Sequence, residues 1–336
     1  MPEKLKLALV GCGAISEWHR MAIRNVPELE ITAAVDVDRG RAEAAAAASG
    51  AQVFTALDEA LAHGRFDAVD LMLPHDLHEA AAVKCFAAGK HVLLEKPMAT
   101  AVDACDRILA AARRASTVFM LAENSQYWPE VLLAREQIAA GAIGEVVTAQ
   151  VHLFFPPLEA FYGGERAWRM NRQQTGGGIC IDTGSHYIRP LRLWLGEIDE
   201  VVAAMEKPFG AMEGESLARA LFRFRSGRVA SFDLMITDAP TARQDVFRIT
   251  GTRGEIVIGL VDVTLYNAEH FQGVRVGADV PQGYVLSYEG QFRDFASAVL
   301  RGTPLAATAE YALGELRTAL AMERSARTKR WEKVWA

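Results

Sequence analysis

The apolar run Leu5–Val10 breaks into Gly11-Cys12-Gly13-Ala14-Ile15-Ser16, and a helical pattern follows to about residue 25. A strand, a glycine-rich turn and a helix in immediate succession leave few architectures open. The spacing is G-x-G-x-x-S, with Ser16 where the dinucleotide fingerprint has its third glycine. Gly11 permits the tight turn and Gly13 lets the main chain approach a pyrophosphate at the helix N-terminus. Ser16 is small enough for close helix–strand packing. Cys12, Ala14 and Ile15 complete the cofactor-binding turn. Alone, such a pattern is weak, because glycine is common in turns. Here a second strand follows at 31–37, and Asp36 closes it 23 residues after Gly13. A carboxylate there accepts hydrogen bonds from the adenosine ribose hydroxyls; capping of the next helix is the alternative. Its charge repels a 2′-phosphate, so NAD is expected, with NADP kept open by Arg39 and Arg41 close by.

The alternation continues. Helices are expected at 39–49, Leu57–His63, 79–88 and 102–114, and strands at 53–54, 68–73, 91–94 and 117–121. Strands alternating with helices imply a parallel, doubly wound sheet with right-handed crossovers. In such sheets ligands sit beyond the carboxyl ends of the strands. The fourth strand runs into Pro74-His75-Asp76-Leu77-His78. These lack a third ligand at matching spacing, so no metal is expected. Pro74, His75 and His78 are placed beside the nicotinamide and its ribose, with helix capping as the account of Asp76. The fifth strand runs into Glu95-Lys96-Pro97. Pro97 has no N–H for the ladder and biases Lys96 away from helical geometry, so the Lys96 ammonium is held at a strand end. A solvated lysine is the bland alternative.

At Glu123-Asn124 the pattern changes. A helix at 129–140 stops at Gly141 and a long strand is expected from 143 to 155. Residues 156–174 read as a loop carrying Phe161, Tyr162, Arg166, Trp168, Arg169 and Arg172. Aromatic rings and guanidinium groups together suit a polyol or an anion, and a plain surface loop or a subunit contact is the other reading. Gly176-Gly177-Gly178 is next. Apolar positions at Ile179, Ile188, Leu191 and Leu195 suit one helix running to Gly196. On a single helix Asp182 and His186 are i and i+4 and share a face. Such a pair can simply stabilise a helix. Behind three glycines that allow close approach to a ligand it becomes a catalytic candidate, the carboxylate orienting the imidazole. Beyond Glu197, antiparallel strands are expected at 201–204, 218–224, 228–236, 245–250 and 255–258, and helices at 291–300 and 310–326. One face of that sheet should meet solvent or a second copy of the chain, with Val229, Phe232 and Leu234 expected on it.

A chain of 336 residues, 51% hydrophobic and 23% charged, suggests two domains, drawn here as 1–122 and 123–336. The net charge of −6 argues against a nucleic-acid partner. No apolar run approaches the roughly 20 residues that span a bilayer, and the first residues lack the pattern of a signal peptide. Cys12, Cys85, Cys105 and Cys180 are scattered without CxxC spacing and read as reduced thiols. A cytoplasmic protein that binds no membrane is expected.

Taken together, Gly11-Cys12-Gly13, Asp36, Ala88-Gly89-Lys90-His91-Val92, Glu95-Lys96-Pro97, Gly141-Ala142-Ile143-Gly144-Glu145 and the glycine run followed by Asp182 and His186 resemble, in order, the Gfo/Idh/MocA oxidoreductases, the family of glucose–fructose oxidoreductase and inositol dehydrogenase. The resemblance implies an N-terminal α/β Rossmann domain and a C-terminal α+β domain with a large, open, mostly antiparallel sheet. The exposed face of that sheet would pair subunits into a homodimer or homotetramer. It implies NAD(P)-dependent oxidation of a secondary alcohol of a sugar or cyclitol, or the reverse reduction. Lys96 matches the family lysine that touches the nicotinamide side and the substrate hydroxyl, His186 the proton-transfer residue, and Asp182 its partner, which also reaches substrate. Trp168-Arg169 matches a Trp-Arg ahead of the glycine run. Many members carry Arg where this chain has Gln126, before Tyr127, so a neutral amide replaces a cation in the substrate wall. Glu95 and Asn124 are counted among the cofactor contacts. A regulatory protein that kept the fold without turnover, or a reductase of a non-sugar diol or imine, is the alternative. Retention of Lys96, Asp182 and His186 together favours an enzyme.

Overall fold

A parallel strand covered on both faces is mostly apolar, and six short strands with apolar centres build the first sheet. The computed structural model describes residues 4–157, 167–242, 244–259, 262–276 and 283–336. The strands are β1 (Leu5–Val10), β2 (Leu29–Val35), β3 (Gln52–Phe54), β4 (Ala68–Leu71), β5 (His91–Glu95) and β6 (Phe119–Ala122). They pair in parallel in the order β3-β2-β1-β4-β5-β6. The order reverses between β1 and β4, the switch point at which open α/β sheets hold ligands. Leu7, Leu9, Val69, Leu71, Val92 and Leu93 are fully buried. The connecting helices are amphipathic; Val102–Ala115, for example, buries Ala104, Cys105, Ile108, Leu109 and Ala112 at helical spacing.

The chain divides into two compact units. The first is Met1–Asn124 with Tyr288–Leu313. Most of the helix Gly283–Arg301 thus returns to the first unit, which a single boundary at 122/123 does not express. Its Tyr288 and Phe292 rings lie against His19, at centroid distances of 4.9 and 5.2 Å.

The second unit is Ser125–Ser287 with Gly314–Ala336. Its strands are β7 (Val146–Phe155), β8 (Ile198–Glu206), β9 (Leu217–Phe224), β10 (Val229–Ile236), β11 (Phe247–Gly251), β12 (Gly254–Ile258), β13 (Val263–Asn267), β14 (Val274–Arg275) and β15 (Glu332–Lys333). They form one sheet in the order β14-β13-β12-β11-β7-β10-β9-β8-β15, parallel between β7 and β10 and antiparallel elsewhere. The three short strands β13 to β15 were not evident in the sequence. Side chains alternate between faces with period two. On β9, Ala218, Ala220, Phe222 and Phe224 are buried while Arg219, Leu221 and Arg223 are exposed. On β10, Ala230, Phe232, Leu234 and Ile236 are buried, and the Phe222 and Phe232 rings meet at 5.2 Å. Phe232 and Leu234 therefore lie on the covered face, and the expectation that they share an open face with Val229 is corrected: an odd and an even position on one strand cannot point the same way. The opposite face is largely polar, with Ser231, Asp233, Arg219 and His152 half-buried or exposed. There His152 stands 3.6 Å from Asp233 and Arg223 2.5 Å from Glu200. At the β8 edge, β15 supplies the ladder partner and Trp335 Nε1 donates to Ile198 O at 3.0 Å. This closes an edge that would otherwise present unpaired main-chain groups. Among the described residues no helix is long and apolar enough to cross a membrane.

Candidate active site

In the first unit the turn after β1 has the geometry that a dinucleotide requires. Gly11 sits at φ +90, and a Cβ there would fall 2.4 Å from Met72 O, so only glycine fits. Gly13 starts the helix Ala14–Ile23 with no side-chain cap, leaving the first N–H groups of the helix to an external acceptor. Ser16 replaces the third glycine without loosening the turn, since its hydroxyl donates to Gly13 O at 2.7 Å. Asp36 lies just past β2, is 9% exposed, and accepts from Cys12 N at 2.7 Å and from Asp38 N at 2.9 Å. Two main-chain donors therefore fix the carboxylate beside the glycine turn. Asp38, rather than Asp36, caps the helix Arg39–Ala46. Arg39 pairs with Glu43 at 2.9 Å and Arg41 with Asp38 at 3.6 Å, so both guanidinium groups already have carboxylate partners. Burial, then the nearby Asp36 charge, pushes the Cys12 thiol up to about 11. What Cys12 brings to the turn is its main-chain N–H.

The ends of β4 and β5 lie beside one another in the sheet. His75 is 2% exposed, in a short 3-10 turn at His75–Leu77 after Pro74. His78 is fully buried, with Nδ1 2.9 Å from Pro97 O and Nε2 2.9 Å from Leu73 O. The ring lies between main-chain carbonyls of the two strand-end segments, and in its neutral form its one N–H donates to one of them. His78 thus braces the two strand-end segments, and burial pulls its pKa down. Asp76 is exposed and neither helix start there draws a side-chain cap, which corrects the capping expectation. Glu95 and Lys96 are 8% and 9% exposed, with Lys96–Pro97 in the cis form. Asn124, at the end of this unit, is 1% exposed.

In the second unit the glycine run serves a different purpose from the one expected. A Cβ on Gly178 would lie 2.1 Å from Glu215 O, and one on Gly214 2.4 Å from Gly178 Cα. Two main-chain segments cross here, so the glycines permit chain-on-chain contact. Glu215 O and its carboxylate then accept Ile179 N at 2.9 Å and Cys180 N at 3.0 Å, which anchors the start of the helix that carries Asp182. Burial raises the pKa of Glu215.

The single helix expected from Ile179 to Gly196 is two, Ile179–Asp182 and Ser185–Leu195. Thr183 N and Gly184 N both reach Ile179 O, each at 2.8 Å, so the ladder slips by one residue. A Cβ on Gly184 would sit 2.4 Å from Cys180 O, so the slip needs a glycine. The simple i, i+4 relation between Asp182 and His186 is thereby lost. Asp182, 4% exposed, is met by Arg169 Nε at 3.4 Å, and the Arg169 guanidinium lies 4.3 Å over the Trp168 ring. Trp168 and Arg169 are held in a 3-10 turn, Trp168–Met170, and Asn171 caps the next turn by accepting from Gln173 N and Gln174 N. Within the expected loop, 168–170 and 172–174 are thus helical; Phe161, Tyr162 and Arg166 lie outside the described residues.

His186 is half-buried, its ring 5.9 Å from Trp128 and inclined at 36°. Tyr187 meets the same indole edge-on at 5.6 Å. Gln126 is 5% exposed and its side-chain oxygen accepts from Arg189 at 2.5 Å; Tyr127 follows it in the 3-10 turn Asn124–Tyr127. Sequence reasoning missed Trp128, Arg189 and Glu215. The one signal for Arg189 was a charge between the apolar positions Ile188 and Leu191. Among the described residues no group of three or more His, Cys, Asp or Glu could hold a metal ion.

Residues 5–123 match the profile of the oxidoreductase family with an NAD-binding Rossmann fold, and residues 131–257 match the GFO/IDH/MocA C-terminal domain. The chain is 29% identical to 1,5-anhydro-D-fructose reductase of Ensifer adhaerens over 95% of its own length and 96% of the relative's. It is 28% identical to D-apiose dehydrogenase of Paraburkholderia graminis over 69% of its length and 60% of the relative's. The crystal structure of the WlbA dehydrogenase from Bordetella pertussis, in complex with NADH and UDP-GlcNAcA, superposes with a TM-score of 0.86 at 25% identity, covering 98% of each chain.

Proposed function

Because this chain belongs to the GFO/IDH/MocA oxidoreductase family, we propose that it moves a hydride between NAD and a secondary alcohol or ketone of a sugar, cyclitol or related polyol, with His186 transferring the proton and Lys96 stabilising the charge on the substrate oxygen. It is an NAD(P)-dependent oxidoreductase, and its relatives are sugar reductases and dehydrogenases. The observation that carries the finer reading is the half-buried His186, packed on Trp128 and a few residues past an Asp182 that is almost fully enclosed. The residues of the first unit fit NAD. The main chain of Gly11 to Ala14 would hold the pyrophosphate, and Asp36 the adenosine ribose. When bound, NAD supplies the hydride acceptor or donor.

The chain's own residues do the rest. In the oxidative direction His186 takes the hydroxyl proton, and in reduction it returns one. Lys96 acts electrostatically on the oxygen as charge develops there. Asp182, itself turned toward Arg169, orients the substrate and supports His186. Trp168, Arg169 and Tyr127 supply stacking surface and donors. Gln126 offers chiefly its amide N–H group, because Arg189 occupies its oxygen.

The test is a screen of sugars, anhydro-sugars, cyclitols and their keto forms, followed by nicotinamide absorbance with both cofactors. We expect turnover on at least one such compound, with kcat/KM for NAD(H) at least ~10-fold above that for NADP(H), since a fixed carboxylate opposes a 2′-phosphate. Equal or better use of NADP(H) would mean that Arg39 or Arg41 overrides Asp36. Tight NADH binding with no turnover on any compound would favour the regulatory reading. We also expect a homodimer or homotetramer assembled through the face of the large sheet that bears Arg219, Ser231 and Asp233; light scattering that returns a monomer mass at micromolar concentration would refute it.

A further inference from the structure

His19 lies on the helix Ala14–Ile23 of the first unit, its side chain wholly buried, and the chemistry described above does not use it. Its Nδ1 stands 2.8 Å from Asp70 Oδ2 and its Nε2 3.0 Å from Glu95 Oε1. Asp70 is the one charged residue of β4 and is fully buried; Glu95 is the last residue of β5. The chain of contacts goes one step further, because Glu95 Oε2 accepts the main-chain N–H of Lys96 at 3.1 Å. From the helix Gly283–Arg301, the Tyr288 and Phe292 rings close over the imidazole at 4.9 and 5.2 Å, so it has no room to turn away.

Burying three ionisable groups is unfavourable unless they satisfy one another. Each of the two contacts to the imidazole needs one proton between its heavy atoms. The trio therefore holds two shared protons and one net negative charge, whether drawn as an imidazolium between two carboxylates or as a neutral ring with one carboxylic acid. Burial alone would lower the pKa of His19. The charge and hydrogen bond of Asp70, then those of Glu95, outweigh it and lift the pKa to about 10. Burial also raises the pKa of Asp70, and in either drawing one proton lies in each of the two contacts. Well-packed apolar residues commonly stabilise a core at least as well as buried ions do. What the ionic link adds here is direction: one Glu95 oxygen is pinned by His19 while the other is aimed at Lys96.

We propose that His19 is a positioning residue for Lys96, holding the Glu95 carboxylate and through it the main chain from which the lysine projects. The proposal rests on the reading of Lys96 as the group that stabilises the substrate oxygen. His19 itself touches no reacting atom.

Two readouts test it. The first is exchange of the Lys96 amide with deuterium, followed by NMR on protein labelled with 15N-lysine, which needs no substrate. His19→Ala is expected to speed that exchange ~10-fold or more by freeing Glu95. Combining His19→Gln with Asp70→Asn restores two neutral hydrogen bonds, the new amide accepting from one side and donating to Glu95, and should return the exchange rate to within about threefold of wild type. Unchanged exchange in His19→Ala, or failure of the double variant to restore it, overturns the proposal. If His19→Ala does not fold, His19→Asn, too short to span Asp70 and Glu95, takes its place.

The second readout is a cycle of His19→Ala and Lys96→Ala, measured with NADH and the best compound from the screen. His19→Ala alone should lower kcat ~10–100-fold, as misplacement of a catalytic group does, with KM for NADH within about threefold of wild type. In the Lys96→Ala background it should lower kcat no further. Equal losses in both backgrounds would overturn the positioning role and leave the Lys96 assignment standing. A Lys96→Ala variant with near wild-type turnover would instead remove the Lys96 assignment, and the exchange measurement alone would then decide whether His19 holds this segment.

Discussion

His186→Ala is expected to lower kcat by ~10²–10⁴-fold, the range for a lost general acid–base group, with NADH affinity within about threefold of wild type. The separation follows from where the two tasks reside. The pyrophosphate and ribose contacts are assigned to the Gly11–Gly13 turn and Asp36, in the first unit, whereas His186 belongs to the second. Removing the imidazole leaves the Trp128 and Tyr187 rings to pack on each other, so the fold survives and the loss is chemical. Lys96→Ala should lower kcat strongly as well, and under the proposed roles the two effects should fall short of additive. Asp182→Asn should harm rate more than stability. Single-turnover kinetics on the three variants, with NADH binding followed by fluorescence, make the comparison. Near wild-type turnover in His186→Ala would pass the proton-transfer role to Lys96 or Tyr187.

Glu315→Ala destabilises the protein by ~3–5 kcal/mol, the cost of stranding buried charge. Glu315 is 3% exposed and Arg189 and Arg192 are each 2% exposed. Arg189 grips the carboxylate with two bonds, of 2.7 and 3.0 Å, and Arg192 donates to one of the same oxygens. Arg192 has a second carboxylate, Glu197 at 2.6 Å, and Arg189 also donates to the neutral Gln126 amide. Removing Glu315 takes away the carboxylate that receives two Arg189 bonds and one Arg192 bond in a buried setting. Thermal unfolding should show an apparent Tm lower by on the order of 10 °C, and urea unfolding a lower midpoint at unchanged slope. A loss under about 1 kcal/mol would show that the cluster relaxes or hydrates, against the burial observed. Glu315→Gln keeps an acceptor and should fall between the two. Arg189 positions the Gln126 oxygen, so both variants should also weaken substrate binding when the screen has supplied a ligand.

The parts of the site that could be read from the sequence are those in which a residue's task is set by its near neighbours. The Gly11 turn, the helix that starts at Gly13 and the Asp36 carboxylate all lie on one strand–turn–helix–strand path. The parts that could not be read depend on segments meeting. Three glycines before Ile179 look alike whether they face a ligand or another stretch of main chain, and only the crossing by Gly214 and Glu215 shows which. An apolar spacing that suits one helix from Ile179 to Leu195 suits two equally well, because the slip at Thr183–Gly184 shifts the ladder by a single residue.

Sequence by itself determined the strand and helix alternation of the first unit, its parallel sheet, the cofactor turn and the two-residue alternation of the later strands. Each is encoded in periodicity or in a short motif, and backbone sterics translate such patterns locally. Tertiary structure alone decided that Phe232 and Leu234 face the core, that residues 288–313 rejoin the first unit, and that His78 braces two strand ends. It also decided the partners of the buried charges. His19 finds Asp70 and Glu95 across 51 and 76 positions, and Arg189 finds Glu315 across 126. Asp70 inside an apolar strand shows in sequence that some partner is required, since a lone buried carboxylate is too unfavourable to keep. Which partner it is depends on strand order and helix placement, and these are set by burial of apolar area over the whole chain, a sum that no local window contains.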